Sequence, residues 1–378
     1  MRVAYVCADP GVPVFGTKGA SVHIQEIVRA FRDRGDEVVV YATRRGDHPP
    51  ADLADLRVIE RRVARGDDRM RERAVADAAA ELADAVVADG CDLVYERFSL
   101  FAAIGARVAR SLPIRAVLEV NAPLIDEQRT HRVLVDENLA AATARTALTA
   151  ADVVACVSAP VADWARAHGA IDPIVAPNGV NTARIRPSIV RPAEGEPFAV
   201  GFVGTLKPWH GVDVLIDAMG LLAASDHPSR LVVIGDGPAG ADLRRHAAER
   251  GVDAVFHGAV APDAVPGLLA TLDVGVASYR AGDAYFSPLK VCEYLAAGVP
   301  VVASRLGQLP DLVQSGRTGL LTDPGDVQAL AGALARLRDR PALRARMGAA
   351  ARERAVAAHD WSRVLSGILA SLPREDAA

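Results

Sequence analysis

The stretch YFSPLKVCEYLAAGVPVVAS, residues 285–304, reads as a helix running into a strand. Ser287 followed by Pro288 is the pattern of a helix N-cap and first-turn proline. The apolar run VPVVAS (299–304) reads as a buried strand, so the pair forms half of a βαβ unit and points to a parallel sheet. One residue sits badly in this scheme. Lys290 falls in the first helical turn, where the positive end of the helix dipole disfavours a cation by roughly 0.3–1 kcal/mol.

The same alternation extends in both directions. Upstream in the second half lie FAVGFVG (198–204), RLVVIGDG (230–237), DAVFHG (253–258) and VGVASY (274–279). The first half offers RVAYVCA (2–8), DEVVVYAT (36–43), DLVYE (92–96), RAVLEV (115–120) and DVVACVS (152–158) as strands. SVHIQEIVRAFRDRG (21–35) is an amphipathic helix ending at Gly35. The fold class is α/β, with Rossmann-like parallel sheets covered by helices. With 378 residues, 51% of them hydrophobic, the chain is too long for one domain of about 100–200 residues. The Pro-rich segment 174–197 reads as a connector, which gives domains of 1–185 and 186–355 and a C-terminal helical segment, 356–378, that returns toward the first domain. Each half opens on a strand, a Gly-containing loop and a helix; duplication and independent use of one βα turn both account for this. Two such sheets facing one another would place the carboxyl ends of their strands along an interdomain cleft.

A net charge of −4 and a pI near 6.2 give no reason to expect nucleic acid as a partner. Cys7, Cys91, Cys156 and Cys292 are scattered, without CxxC or metal-ligand spacing. The start MRVAYVCADP lacks the longer apolar stretch of a secretory leader, and no segment reaches the ~20 apolar residues of a membrane span. A cytoplasmic protein is expected. The basic segment 61–73 carries interspersed Asp67, Asp68 and Glu72, so a solvated face is favoured over membrane contact, which is peripheral at most.

Several loops could hold an anion. The N–H groups of the helix after Gly282–Ser287 form an anion site, and a phosphate there would make Lys290 favourable. Glu293 lies on roughly the same face, and a plain Lys290–Glu293 surface pair is the alternative. Ser287–Lys290 also matches the S-x-x-K of serine acylases, but the companion S-D-N and K-T-G motifs are missing. Gly16, Lys18 and Gly19 precede the first helix and let backbone approach a ligand. They lack the G-x-G-x-x-G spacing and its following carboxylate, which disfavours a dinucleotide cofactor. His23 lies inside that helix, a position more often structural than catalytic. Lys207 and His210 sit between strand and helix in GTLKPWHG (204–211). No D-x-D pair occurs, which removes the commonest carboxylate hold on a metal–diphosphate, and a leaving diphosphate would have to meet lysines and helix N-termini.

Taken together, APNGVN (176–181), GFVGTLKPWHGVDVLIDA (201–218), VVIGDGP (232–238), SPLKVCEYLAAGVPVVAS (287–304) and RTGLLTDPGD (317–326) resemble the retaining family-4 glycosyltransferases of GT-B fold. The resemblance runs in order over most of 176–326 and is looser in the first half. It implies a nucleotide diphosphate sugar donor, UDP- or GDP-linked, held by the second domain, a hydroxyl acceptor on the first, and no metal or other cofactor. Glu293 matches the second glutamate of the family's E-x7-E pattern and would hold the ribose. Phe286, Ser287, Pro288 and Leu289 would hold diphosphate and sugar, with Gly16 and Gly19 closing over the diphosphate and Lys18 and His23 on the acceptor side.

Departures from the pattern are specific. Tyr285 replaces the first glutamate, with Asp283 as a possible substitute; Thr205 and His210 replace an Arg and a Lys. Lys207 is then the displaced cation, backed by Lys290, and Asn121 stands where relatives carry a His near the reacting sugar. Lys207, Lys290 and Asn121 are the catalytic set this implies. An epimerase of the same fold and a non-enzymatic nucleotide-sugar sensor are the alternatives. Oligomeric state is not legible.

Overall fold

A computed structural model describes residues 1–188, 195–223, 227–282 and 284–373. The chain forms two compact units. The first comprises Met1–Asn178, Tyr285–Ser287 and the chain from Trp361 onward; the second comprises Gly179–Ala284 and Pro288–Asp360. The division falls at Asn178/Gly179 rather than near 185, and residues 285–287 belong to the first unit.

In the first unit, β1 (Arg2–Cys7), β2 (Glu37–Ala42), β3 (Val58–Glu60), β4 (Leu93–Arg97), β5 (Arg115–Val120), β6 (Val153–Cys156) and β7 (Ile174–Val175) form one parallel sheet in the order β3-β2-β1-β4-β5-β6-β7. The second unit repeats this winding with β8 (Phe198–Val203), β9 (Ser229–Ile234), β10 (Ala254–Gly258), β11 (Val274–Ala277), β12 (Val301–Ser304) and β13 (Gly319–Thr322), in the order β10-β9-β8-β11-β12-β13. In each unit the order reverses beside the first strand, at β1/β4 and at β8/β11. That switch point is where ligands sit in open α/β sheets, outside the carboxyl ends of the strands.

The sequence explains the strand starts. Asp92, Asp152 and Asp273 stand just before β4, β6 and β11, and each carboxylate accepts an N–H from the first or second residue of a neighbouring strand: Arg2 at 2.7 Å, Ala116 at 2.7 Å and Ala199 at 2.9 Å. An otherwise orphaned donor at the sheet edge is thereby satisfied. The helix Gly19–Asp33 buries Ile24, Ile27, Val28 and Phe31, the i, i+3, i+4, i+7 stripe of a core-facing helix, and gives way to Gly35 at φ +82°. The expected C-terminal helix is Trp361–Ala370, and it packs on Gly19–Asp33 within the first unit. β3, β7 and β13 were not anticipated from the sequence, and part of the expected connector, 189–194, lies outside the described residues.

In the second unit, Gly332 lies exposed inside the helix Val327–Arg338 with open space where a Cβ would stand. Gly332→Ala is expected to stabilise this unit by about 0.5–1 kcal/mol, because alanine loses less conformational freedom in a helix. A thermal midpoint that fails to rise would show the helix frayed at this point.

Candidate active site

The second unit assembles a cation pocket at the β8/β11 switch point. These two strands pair only at Val200–Val274 and Gly201–Gly275. Beyond that Tyr294 takes over, its hydroxyl accepting the Val203 N–H at 2.8 Å. Its ring fills the space a Cβ on Gly275 would need, at 2.4 Å. Tyr294 thus pins the helix Leu289–Ala296 beneath the diverging strands, and this helix carries Lys290 in its first turn.

Lys290 is 7% exposed and its Nζ makes no hydrogen bond. The ammonium lies 4.1 Å from the centroid of Phe202 and 5.1 Å from that of Tyr279, against the backbone of Gly204, whose Cβ would stand 3.3 Å away. Two aromatic faces give a cation partial compensation only. Burial pushes its pKa down to about 7, against the pull of Glu293. The dipole at the helix start adds to this cost, and the N–H groups of Leu289 and Lys290, which open the same helix, have no carbonyl a turn behind them within it.

His210 completes the pocket on the opposite loop. Its Nδ1 donates to the Thr205 carbonyl at 2.6 Å, so in the neutral ring Nε2 carries a lone pair. Burial first, and then the charge of Lys290, pushes its pKa down to about 3. At the position where the resemblance implies a lysine, this chain presents a neutral acceptor. Lys207 stands nearby, partly exposed, with Nζ 5.4 Å from the ring of half-exposed Trp209. Glu293 is half-exposed, between the buried positions 290–292 and 294–296 of the same helix.

The expected N-cap is corrected by the structure. The helix begins at Leu289 with Pro288 at the cap position and no side-chain cap. Ser287 is held instead in the first unit, where its Oγ accepts the Asn178 N–H at 3.0 Å and its carbonyl accepts Asn178 Nδ2 at 2.8 Å. Tyr285 also faces the first unit: its hydroxyl donates to Glu127, its carbonyl accepts from Ser158 Oγ, and its ring packs beside a core that includes Phe98, Leu118 and Ile125. Phe286 is half-buried, and Asp283 lies outside the described residues.

Within the first unit the glycine loop is braced from below. Gln25 Nε2 donates to the carbonyls of Val14 and Gly16 at 2.9 and 3.0 Å. A side chain at Gly16 would meet Ser21 Oγ at 2.5 Å. Lys18 and Gly19 are exposed, Lys18 occupying the cap position of Gly19–Asp33 without a side-chain cap, so this helix N-terminus is open.

His23 does not present a face to an acceptor. The ring is buried, with Nδ1 2.9 Å from Asn178 Oδ1, Nε2 2.8 Å from Glu119 Oε1, and Trp361 edge-on at 4.6 Å. Both ring nitrogens are engaged, which fits the structural alternative weighed for it above. The centre of this cluster is Glu119, a residue the motif reading passed over. Its signal was present as a lone carboxylate inside the apolar strand RAVLEV. Glu119 is 4% exposed; Oε1 also accepts from Tyr95 at 2.9 Å, Oε2 accepts from Asn121 Nδ2 at 3.1 Å, and Arg97 lies 3.8 Å away. Burial alone would raise its pKa, but His23, Arg97 and Asn121 outweigh that and bring it down to about 2.

Two units of the same strand winding, one of seven strands and one of six, fit the GT-B architecture of paired Rossmann-like domains. Comparison with known proteins agrees. The family described as Glycosyltransferase Family 4 matches residues 17–184, and that described as Glycosyl transferases group 1 matches 197–340. D-inositol 3-phosphate glycosyltransferase of Acidothermus cellulolyticus is 33% identical, over 96% of this chain and 85% of that protein. A GDP-mannose-dependent alpha-(1-6)-phosphatidylinositol monomannoside mannosyltransferase of Mycobacterium tuberculosis is 34% identical over 53% of this chain and 56% of the relative. Anabaena HepE, solved in complex with UDP-glucose, shares the fold with a TM-score of 0.72 at 20% identity, covering 98% of this chain and 99% of that one. The chain belongs to the family-4 glycosyltransferases of GT-B fold. It is a glycosyltransferase.

Among the described residues no group of three or more His, Cys, Asp or Glu is arranged to hold a metal ion, and no helix is long and apolar enough to cross a membrane.

Proposed function

We propose that this enzyme moves a sugar from a UDP- or GDP-linked donor to a hydroxyl acceptor, with retention at the anomeric carbon and without a metal cofactor. The observation that carries the reading is the Lys290 ammonium, buried and without a hydrogen bond at the carboxyl edge of a parallel sheet. Such a cation is satisfied when an anion completes its shell, and a diphosphate supplies that charge. Lys207 and the N-terminus of Leu289–Ala296 would share the load as the leaving diphosphate gains charge. Glu293, one turn along, would hold the ribose hydroxyls. Retention follows if the leaving oxygen takes the acceptor proton on the face it departs from. The names of the two relatives favour starting the acceptor series with inositol 3-phosphate and phosphatidylinositol, and the donor series with UDP- and GDP-sugars.

The test is a thermal-shift screen of UDP, GDP and their sugars, followed by transfer assays with the stabilising donor in the presence and absence of EDTA. One nucleoside diphosphate is expected to raise the midpoint, by RT ln(1 + [L]/Kd) in free energy. Transfer is expected to survive EDTA, with the product anomer matching the donor. Activity lost to EDTA and restored by Mg²⁺ would remove the metal-free mechanism, and an inverted anomer would remove retention.

A further inference from the structure

We infer that Glu119 is a positioning residue that turns the Asn121 amide so that its carbonyl oxygen, and not its NH₂, is presented to a substrate hydroxyl. This rests on the transfer reaction proposed above. An ionised carboxylate only accepts hydrogen bonds, so the end of Asn121 that meets Glu119 Oε2 at 3.1 Å must be the donor, Nδ2. The amide is planar, and Oδ1 therefore faces the other way. Asn121 follows β5 directly and is half-buried, at the carboxyl edge of the first unit's sheet. An acceptor in that position cannot bind an ionised phosphate oxygen, which has no proton to give. It can read a hydroxyl.

The carboxylate is well built for this task. Tyr95 and His23 occupy Oε1, and Arg97 faces Oε2 from 3.8 Å. Four side chains, two from β4, one from the helix Gly19–Asp33 and that of Asn121 just after β5, thus fix one buried charge, leaving the Asn121 amide no second orientation of comparable energy. In Glu119→Gln the new amide can donate as well as accept, and Asn121 is free to turn its NH₂ outward.

The hydroxyl belongs either to the donor sugar or to the acceptor, and kinetics separate the two. Asn121→Ala and Glu119→Gln are each expected to lower kcat/KM about 10-fold, the scale of one lost hydrogen bond. The double variant is expected to lose no more than Asn121→Ala alone. If the hydroxyl is on the donor, slow hydrolysis of the donor without acceptor falls in parallel; if it is on the acceptor, hydrolysis is unchanged and the acceptor KM rises. Losses that multiply in the double variant, or a Glu119→Gln defect with Asn121→Ala fully active, would overturn the inference. Should Glu119→Gln fail to fold, Glu119→Asp shortens the carboxylate arm by one methylene and Asn121→Gln lengthens its partner by one. Recovery of most kcat/KM in that pair over Glu119→Asp alone is expected, and a purely structural role for Glu119 would give none. Wild-type protein without transfer to any acceptor would instead remove the proposed function itself.

Discussion

Lys290→Met is expected to make the donor-free protein more stable while lowering turnover by about 10²–10³, the usual loss for one charge-stabilising group. The first half of that outcome follows from burial. The lysine of the unfolded chain titrates near 10.5 and that of the folded chain at about 7, so between these values the unfolded state binds more protons. Stability then rises with pH through that window and is lowest below pH 7. Methionine keeps the apolar stem and removes the charge. The gain is on the order of 1–3 kcal/mol near neutral pH, since burying an unpaired cation is costly even after relaxation. Chemical denaturation from pH 6.5 to 9.5 reads this directly: wild type is expected to gain stability along the series and Lys290→Met to stay flat in that interval. Donor binding has the opposite sign. A diphosphate favours the charged lysine, so the affinity for UDP or GDP is expected to fall up to 10-fold per pH unit above 7 in wild type and to lose that slope in Lys290→Met. A variant with wild-type turnover, or a wild-type affinity indifferent to pH, would separate Lys290 from the diphosphate.

The lysine also shows where the sequence is legible and where it stops. Its place in a first turn was readable from Ser287-Pro288, and the mismatch with the helix dipole marked it. Its burial was not, because a four-carbon stem can lead to solvent or back beneath a strand, and only the seat of Tyr294 on Gly275 decides which. All ten apolar runs became strands: nine are largely buried on both faces, which leaves apolar stretches few alternatives, and Ala254–Gly258, at the edge of its sheet, alternates between half-buried and exposed. The missed strands, Val58–Glu60, Ile174–Val175 and Gly319–Thr322, are two to four residues long and are defined by pairing with a neighbour rather than by their own pattern. Ser287 carried a true local capping signal, yet its hydroxyl is committed to Asn178, 109 residues away. Tertiary partners override local preference in the same way at His23 and Tyr285. Glu119 was visible as an anomaly in an apolar strand, but its meaning came only with the four side chains that the fold brings to it.

Gly211→Ala is expected to be the most damaging small substitution in the cation pocket. Gly211 has φ +63° and ψ 30°, the left-handed region, where an alanine costs about 1–2 kcal/mol. Space adds more: an ideal Cβ would lie 1.9 Å from the Ser278 carbonyl oxygen, a backbone atom that cannot swing aside. Both elements around it are tied. Ser278 Oγ donates to the Gly211 carbonyl at 2.8 Å, and the same carbonyl accepts the Leu215 N–H at 3.1 Å as the helix Val212–Ala223 begins. Separating Gly211 from Ser278 therefore moves the loop that carries Lys207 and His210 away from the turn that carries Tyr279, the aromatic wall of Lys290. The total, about 2–5 kcal/mol, combines the left-handed strain with a forced backbone shift. Gly332→Ala, in the same unit but in open space, provides the control that adding a methyl group is harmless in itself. The expected result is a thermal midpoint several degrees below wild type together with loss of the nucleotide-induced shift. A variant that melts like wild type and still responds to nucleotide would show that the pocket tolerates movement of its glycine hinge, and that the close packing of Gly211 on Ser278 is not what holds His210 and Tyr279 about Lys290.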